Sequence, residues 1–381
     1  MVAPKLRFKE FDGDWILNNI GKFLIEYKEK VPSSTEIEIY SSSREGLKPQ
    51  KDYFDNRELQ NFGEYGVVPP NYFTYRHMSD DTTFKFNINS IGKKIAVSKE
   101  YPVFTTNENL DSQFLLLKLN ESNDFKKFAI EQKKGGTRTR LYFKALCTWE
   151  TRLPSISEQT KIASFLSAVD EKISQLTQKH ELLSQYKQGM MQKLFSQQIR
   201  FKADDGSEFG EWEEKELHQI FQIKAGGDIE KSSVSEVRTS EFSYPIFANS
   251  DKNKGFYGWA NKFKYKEAVT VTGRGNLGIA VARNEPFYPI VRLLVLLPLV
   301  KQNLKFFEEQ INLLDIVSES TGVPQLTAPQ LSKYKVNVPS LEEQTKIANF
   351  LSAIDQKIGV VAQQIEHAKQ WKKGLLQQMF V

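Results

Sequence analysis

The sequence predicts an α+β protein in which two mixed α/β units are separated by two long helices. Three observations carry that expectation. One stretch of chain recurs 185 positions later with about half its residues identical. Each copy carries helix-start signals and then contains no proline through Phe195 or Phe380. Runs of β-branched and aromatic residues, the composition of strands, fall in the segments ahead of each copy.

The repeat is specific. Leu153-Pro154-Ser155-Ile156-Ser157-Glu158-Gln159-Thr160-Lys161-Ile162-Ala163 returns as Val338-Pro339-Ser340-Leu341-Glu342-Glu343-Gln344-Thr345-Lys346-Ile347-Ala348, and the match continues without a gap. It persists weakly upstream, with Leu141 facing Leu326, Leu146 facing Leu331 and Trp149 facing Tyr334. The front edges also echo each other. Arg7-Phe8-Lys9 precedes Gly13-Asp14-Trp15, and Arg200-Phe201-Lys202 precedes Gly210-Glu211-Trp212 with a few inserted residues. Between about 25–135 and 225–320 no similarity can be aligned. The frame is duplicated and its contents differ.

Each copy reads as a helix. Pro154 and Pro339 stand where proline is tolerated, Ser155 and Ser340 can cap the first turn, and Glu158 and Glu343 follow at capping-box spacing. A helix from Ser155 to Phe195 would be about 60 Å long. Apolar residues alternate at three and four, the spacing of a coiled-coil seam. The seam includes Ile162, Leu166, Val169 and Ile173 in the first copy, and Ile347, Leu351, Ile354 and Ile358 in the second. Lys187 and Lys372 occupy the same seam position, either snorkelling outward or setting register as a polar pair. Matching faces on one chain predict that the helices pair with each other. Sequence alone does not fix the direction. The antiparallel arrangement, with pseudo-two-fold symmetry, would put a head at each end of a rod, able to span two half-sites about 34–36 Å apart.

The heads read as mixed structure. Strand patterns occur at 84–88, 114–119, 268–272, 279–282 and 291–297. Cations cluster in both heads. Lys126, Lys127, Lys133, Lys134, Arg138, Arg140 and Lys144 crowd around Gly135-Gly136, which reads as a loop tip. Lys252, Lys254, Lys262, Lys264, Lys266 and Arg274 are interleaved with aromatic residues. Such clusters suit phosphate contact, and an arginine fork also fits guanine edges. A solvated strand face is the plain alternative for either cluster alone.

Totals narrow the field further. A formal charge of +5 permits a polyanionic partner without demanding one. A single cysteine, Cys147, excludes a disulfide framework and a thiolate zinc site. The four histidines lie far apart and read as surface or packing residues. The N-terminus lacks a signal-peptide core, and the most apolar run, 291–300, is too short to span a bilayer, so a soluble cytoplasmic protein is expected. Gly273-Arg274-Gly275-Asn276-Leu277-Gly278 matches a dinucleotide or methyl-donor string. A strand pattern follows it, so it reads as a hairpin presenting Arg274 and Asn276. Val68-Pro69-Pro70-Asn71-Tyr72-Phe73 has Val68 where an amino-methyltransferase needs an amide or acid. Asp124, Glu131 and Lys133 have only loose nuclease spacing, and no ATP-binding phosphate loop occurs.

The pattern Pro-Ser-x-x-Glu-Gln-x-Lys-Ile-Ala-x-Phe-Leu at 154–166 and 339–351 resembles the specificity (S) subunits of type I restriction–modification enzymes. So do the Gly-Asp/Glu-Trp edges and Gly322-Val323-Pro324-Gln325-Leu326, and the likeness runs the length of the chain. It implies a non-catalytic DNA-recognition subunit with target recognition domains at 1–153 and 197–337. Conserved spacer helices would occupy 154–196 and 338–381. Each domain would read half of a bipartite double-stranded site. The helices would set the gap and dock two modification (M) subunits, and restriction (R) subunits would join. No cofactor is then expected on this chain, with S-adenosylmethionine, ATP and Mg on the partners. The first head departs from the pattern, with Gly136-Thr137-Arg138-Thr139-Arg140-Leu141 opposite Thr321-Gly322-Val323-Pro324-Gln325-Leu326, so the two heads need not share a local fold there. The family has no motif for base-reading residues.

The DNA-contact candidates rest on charge and loop context alone. They are Lys126, Lys127, Lys133, Lys134, Arg138, Arg140, Lys252, Lys254, Arg274 and Asn276. The competing readings are a self-sufficient methyltransferase using 273–278 as its donor loop, and a coiled-coil scaffold without a nucleic-acid role.

Overall fold

The computed structural model describes residues 4–53, 63–133, 135, 137–316 and 325–380. They form two compact units, one of Met1–Thr177 with Gln363–Val381 and one of Gln178–Ala362. The first unit contains β1 (Ile16–Asn19), β2 (Leu24–Glu26), β3 (Phe73–Tyr75), β4 (Phe86–Ile88) and β5 (Val103–Thr106). Helices α1 (Ser112–Glu121) and α2 (Asn123–Glu131), strand β6 (Glu150–Leu153) and the start of helix α3 (Ile156–Phe195) follow. The second contains the end of α3, then β7 (Glu213–Glu216), β8 (Phe221–Ala225), β9 (Ala268–Val271), β10 (Ala280–Arg283) and β11 (Leu294–Pro298). It continues through α4 (Leu304–Ile311) and β12 (Lys335–Val338) into α5 (Leu341–Met379), whose last turns belong to the first unit.

The heads share more than their edges. Each has an antiparallel four-stranded sheet of one strand order, β2-β5-β3-β4 in the first and β8-β11-β9-β10 in the second. Each has a ribbon joining its first strand to its last, β1 with β6 and β7 with β12. In each, one asparagine side chain ties the head helix to the sheet. Asn120 accepts from Phe86 N and donates to its O at 2.9 and 3.0 Å, and Asn312 does the same to Ala280 at 2.8 and 3.0 Å. Phe114 packs edge-on to Trp15 in one core, and Phe306 to Trp212 in the other. Phe114 and Asn120 lie 192 positions before Phe306 and Asn312, not 185, because loops of different length intervene. That change of offset hid the similarity from direct comparison of the sequences.

One strand expectation fails and another is shortened. Residues 114–119 are helical, within α1. Asp111 caps that helix by accepting from Phe114 N at 2.9 Å, and its apolar run is buried on several sides, which erases the period that would mark a helix. The run 291–300 contributes only β11 as strand. Val291 and Arg292 make a left-handed turn, and Leu299 and Val300 are exposed.

The duplicated motif closes each junction between head and helix. Glu158, 1% exposed, accepts both fork nitrogens of Arg7 at 2.7 and 2.6 Å and the Trp15 indole at 3.3 Å. Glu343, 0% exposed, accepts Arg200 at 3.0 and 2.8 Å and Trp212 at 3.0 Å. Ser155 and Ser340 do cap, but the glutamates serve these forks rather than closing the expected capping boxes. Hydrogen bonding to the carboxylate raises the pKa of both arginines. Gln159 and Gln344 then accept from Asp111 N at 2.9 Å and Asn303 N at 3.0 Å, the cap residues of α1 and α4. The insertion in the second edge is a tight turn, with Ala203 N bonded to Ser207 O at 2.9 Å.

The long helices pair antiparallel. Asp170 of α3 binds Lys372 of α5 at 2.6 Å in the first unit, and Lys187 of α3 binds Asp355 of α5 at 2.7 Å in the second. Position numbers thus fall along one helix as they rise along the other. Each seam lysine therefore meets an aspartate of the other helix. Ile162, Leu166, Val169, Ile347, Leu351 and Ile354 are buried in the unit cores, while Ile173 and Ile358 pack at their margins.

Candidate nucleic-acid interface

Corresponding loops of the two heads carry cations that face solvent. In the second head β9 turns into β10 through 272–279. Gly275 and Gly278 supply left-handed backbone at φ 70° and 82°, and Gly278 N returns to Thr272 O at 2.9 Å. A strand follows, not a helix, so the glycine-rich string lacks the helix N-terminus that a methyl-donor or dinucleotide loop requires. Arg274 is exposed and pairs through its backbone with Gln325. Asn276 is exposed and donates to Asp251 Oδ2 at 2.6 Å.

Two further loops meet this hairpin. The loop after Asn249 turns left-handed at three consecutive residues, Asn253, Lys254 and Gly255. Arg283 holds it by donating to Lys254 O at 2.5 Å while stacking 3.6 Å over the Phe247 ring. Burial lowers the Arg283 pKa to about 10, so it stays cationic at neutral pH. The other loop places Val291 and Arg292 at φ 52° and 57°, a conformation costing about 1–3 kcal/mol per residue. Gly226 and Gly227 support it, accepting from Arg292 N and Val291 N at 3.1 Å. A side chain on Gly226 would meet Pro289 backbone at 2.9 Å. Asn249 joins the loops, its Oδ1 accepting from Gly273 N at 2.7 Å and its Nδ2 donating to Val291 O.

In the first head the equivalent connection, 76–85 between β3 and β4, is longer. Its Met78–Ser79 strand pairs with Thr139–Arg140. Arg138 binds Asp80 at 2.8 Å, and Arg44 binds Asp81. The Arg44 guanidinium, Ser79 hydroxyl and Thr83 N–H hold the Asp81 carboxyl well below the usual range. A cleft of 260 Å³ opens here, lined by Arg44, Arg76 and Lys85 among others. Leu141 N bonds to His77 O at 2.8 Å, as Leu326 N bonds to Gly273 O at 2.9 Å. Leu141 and Leu326 therefore meet equivalent connections of the two heads.

The sequence candidates divide accordingly. Lys252, Lys254, Arg274 and Asn276 are brought together by the loops around Asn249. The first cluster is not gathered at one place. Lys126 and Lys127 are exposed on α2, where Lys126 lines a cleft with Lys369, Lys372 and Lys373 of α5. Arg138 and Arg140 stand at the hairpin, Lys133 is exposed after α2, and Lys134 lies outside the described residues. Asp124 is bound by Lys118 at 3.1 Å and Thr151 at 2.5 Å, a structural role. Charge counting missed Arg44, Arg76, Arg292 and Asn249. The signal available for Arg292 was the pair Gly226-Gly227, which allows the close backbone approach. Among the described residues no helix is long and apolar enough to cross a membrane, and no group of side chains could hold a metal ion.

The model of the type I restriction modification DNA specificity domain matches residues 55–185 and 210–370, more than half of the chain. The chain belongs to the type I specificity-subunit family. A type I specificity subunit of Mycoplasma pneumoniae is 29% identical over 220 residues, which are 58% of this chain and 59% of that protein. The MjaVIII specificity subunit of Methanocaldococcus jannaschii is 25% identical over 97% of this chain and 94% of its own. The crystal structure of the type I S subunit from M. genitalium matches the fold with a TM-score of 0.66 at 17% identity, covering 100% of this chain and 99% of the other. A chain from a study of type I complex assembly matches at 0.56 and 14% identity, covering 97% and 98%. The matched domain is described as a DNA specificity domain.

Proposed function

We propose that each head of this specificity subunit reads one half of a bipartite double-stranded DNA site. The antiparallel helices set the gap and dock the modification subunits, and restriction subunits join that core. S-adenosylmethionine, ATP and Mg then act on the partner subunits. The observation that carries this reading is the duplicated junction. Two heads with different loops are fixed to their helices by the same buried Glu–Arg–Trp contact. Constant mounting with variable tips is what reading two unlike half-sites needs. The exposed cations at the hairpins supply phosphate and base contacts. Localisation in the cell interior, with the DNA, belongs to the same proposal.

The test is to map methylated adenines in a genome expressing this chain with its modification partner. A bipartite motif is expected. Deleting seven residues from each helix, two turns that preserve the seam, should change the gap or abolish methylation. An unchanged motif would remove the spacer role.

A further inference from the structure

We infer that the second head reads base edges through Arg274 and Arg292, held as one edge by Asn249. This deepens the specificity-subunit reading and rests on it. Arg292 belongs to no cation cluster in the sequence, and only the fold brings it to the hairpin. A side chain built on Gly273 would come within 3.6 Å of Arg292 O, so the backbones flanking the two arginines run close together. Both arginines are exposed, and no hydrogen bond or ion pair from either guanidinium is found among the described residues. Arg283, by contrast, is buried and committed to the loop's backbone.

Backbone cost points the same way. Val291 is β-branched, left-handed and 46% exposed, so burial of its side chain does not offset the conformation. What holds the turn is a set of bonds to Gly226, Gly227 and Asn249. The same asparagine fixes the start of the hairpin that carries Arg274. Asn249 is thus a positioning residue. It sets the spacing of two forks that can each take the O6 and N7 of guanine. The first head supports the assignment, since its equivalent connection is the one beside Arg76, Arg138 and Arg140.

The experiment maps the methylated motif made by the full chain with its modification partner, for the wild type and for variants. Arg274→Ala and Arg292→Ala should each relax one position of the same half-site, with discrimination falling about 10- to 100-fold. The other half should not change. Asn249→Asp keeps the acceptor for Gly273 but loses the donor to Val291, so it should relax the Arg292 position more than the Arg274 position. Arg292→Lys keeps charge without the fork and should relax the same position as Arg292→Ala. Restoration of the full motif by lysine would make the contact a phosphate contact and overturn base reading. So would an unchanged motif in both alanine variants, or relaxation in both halves. If the alanine variants fail to fold, Arg292→Lys and Arg274→Gln decide by the same criterion. A wild type that yields no sequence motif would instead overturn the specificity-subunit reading itself.

Discussion

The two units differ least where a head meets its helix and most at the loop tips. At the junctions the same three residue types, arginine, tryptophan and glutamate, meet in the same way. At the tips one head has paired arginines and aspartates on a long connection, and the other a short glycine-rich hairpin tied by asparagine. The contrast separates two demands on one frame. A buried carboxylate tolerates no substitute for its partners, because an unpaired charge is costly away from water. A solvent-facing tip carries no such penalty and is free to change.

The largest expected effect tests the equivalence of the junctions. Glu158→Ala and Glu343→Ala each leave a guanidinium and an indole N–H without their shared carboxylate, Arg200 keeping only the Gly210 carbonyl at 2.7 Å, and each should cost about 3–5 kcal/mol. Hydrogen exchange followed by mass spectrometry should place the loss in the first unit for Glu158→Ala and in the second for Glu343→Ala. If one variant costs less than about 1 kcal/mol, the junctions are not equivalent in energy, whatever their geometry.

A smaller effect should distinguish the seam lysines, which occupy identical positions in the repeat. Lys187 is 18% exposed and binds Glu309, itself 4% exposed, as well as Asp355. Among the described residues Lys372 binds only Asp170, which is 48% exposed. Lys187→Met should therefore cost about 1.5–3 kcal/mol, as hydrogen bonds to buried charges do. Lys372→Met should cost less than about 1 kcal/mol, in the range of surface pairs. Chemical denaturation with both variants measures the difference, and equal costs would show that Glu309 contributes nothing through Lys187.

The long helices and the sheet frame were legible in unequal degree. The helices announce themselves through Pro154, Ser155 and the seam spacing, since a long helix must repeat its period many times. The heads hid their kinship because Asp111, Phe114 and Asn120 correspond to Asn303, Phe306 and Asn312 at a different offset. Short strands such as β3 and β4 carry too few residues to show a period. The second cation cluster was found because its loops are close in sequence as well as in space. Arg292 was invisible because its proximity to Arg274 depends on Asn249 crossing between two turns.

The smallest effect concerns one position where the heads hold equivalent backbone but different chemistry. His77 and Gly273 both accept from the leucine before the junction. His77 is buried, stacks on Tyr142 at 5.2 Å, and leaves Nδ1 without a hydrogen-bond partner. Burial lowers its pKa below 6.5, with Arg140 and Arg76 acting in the same direction and Glu100 opposing. The unfolded chain then binds more protons than the folded one between that depressed value and 6.5. Stability from this group is intact above 6.5 and falls as pH drops through the window. His77→Phe keeps the stacked ring and removes the titration. Its urea midpoint should therefore fall less than that of the wild type between pH 7.5 and 5.5, with hydrogen exchange placing the difference in the first unit. Equal losses in variant and wild type would mean that this histidine does not distinguish the heads, and that Gly273 differs from it only in the room it leaves for Leu326 O, 2.7 Å from where a Cβ would stand.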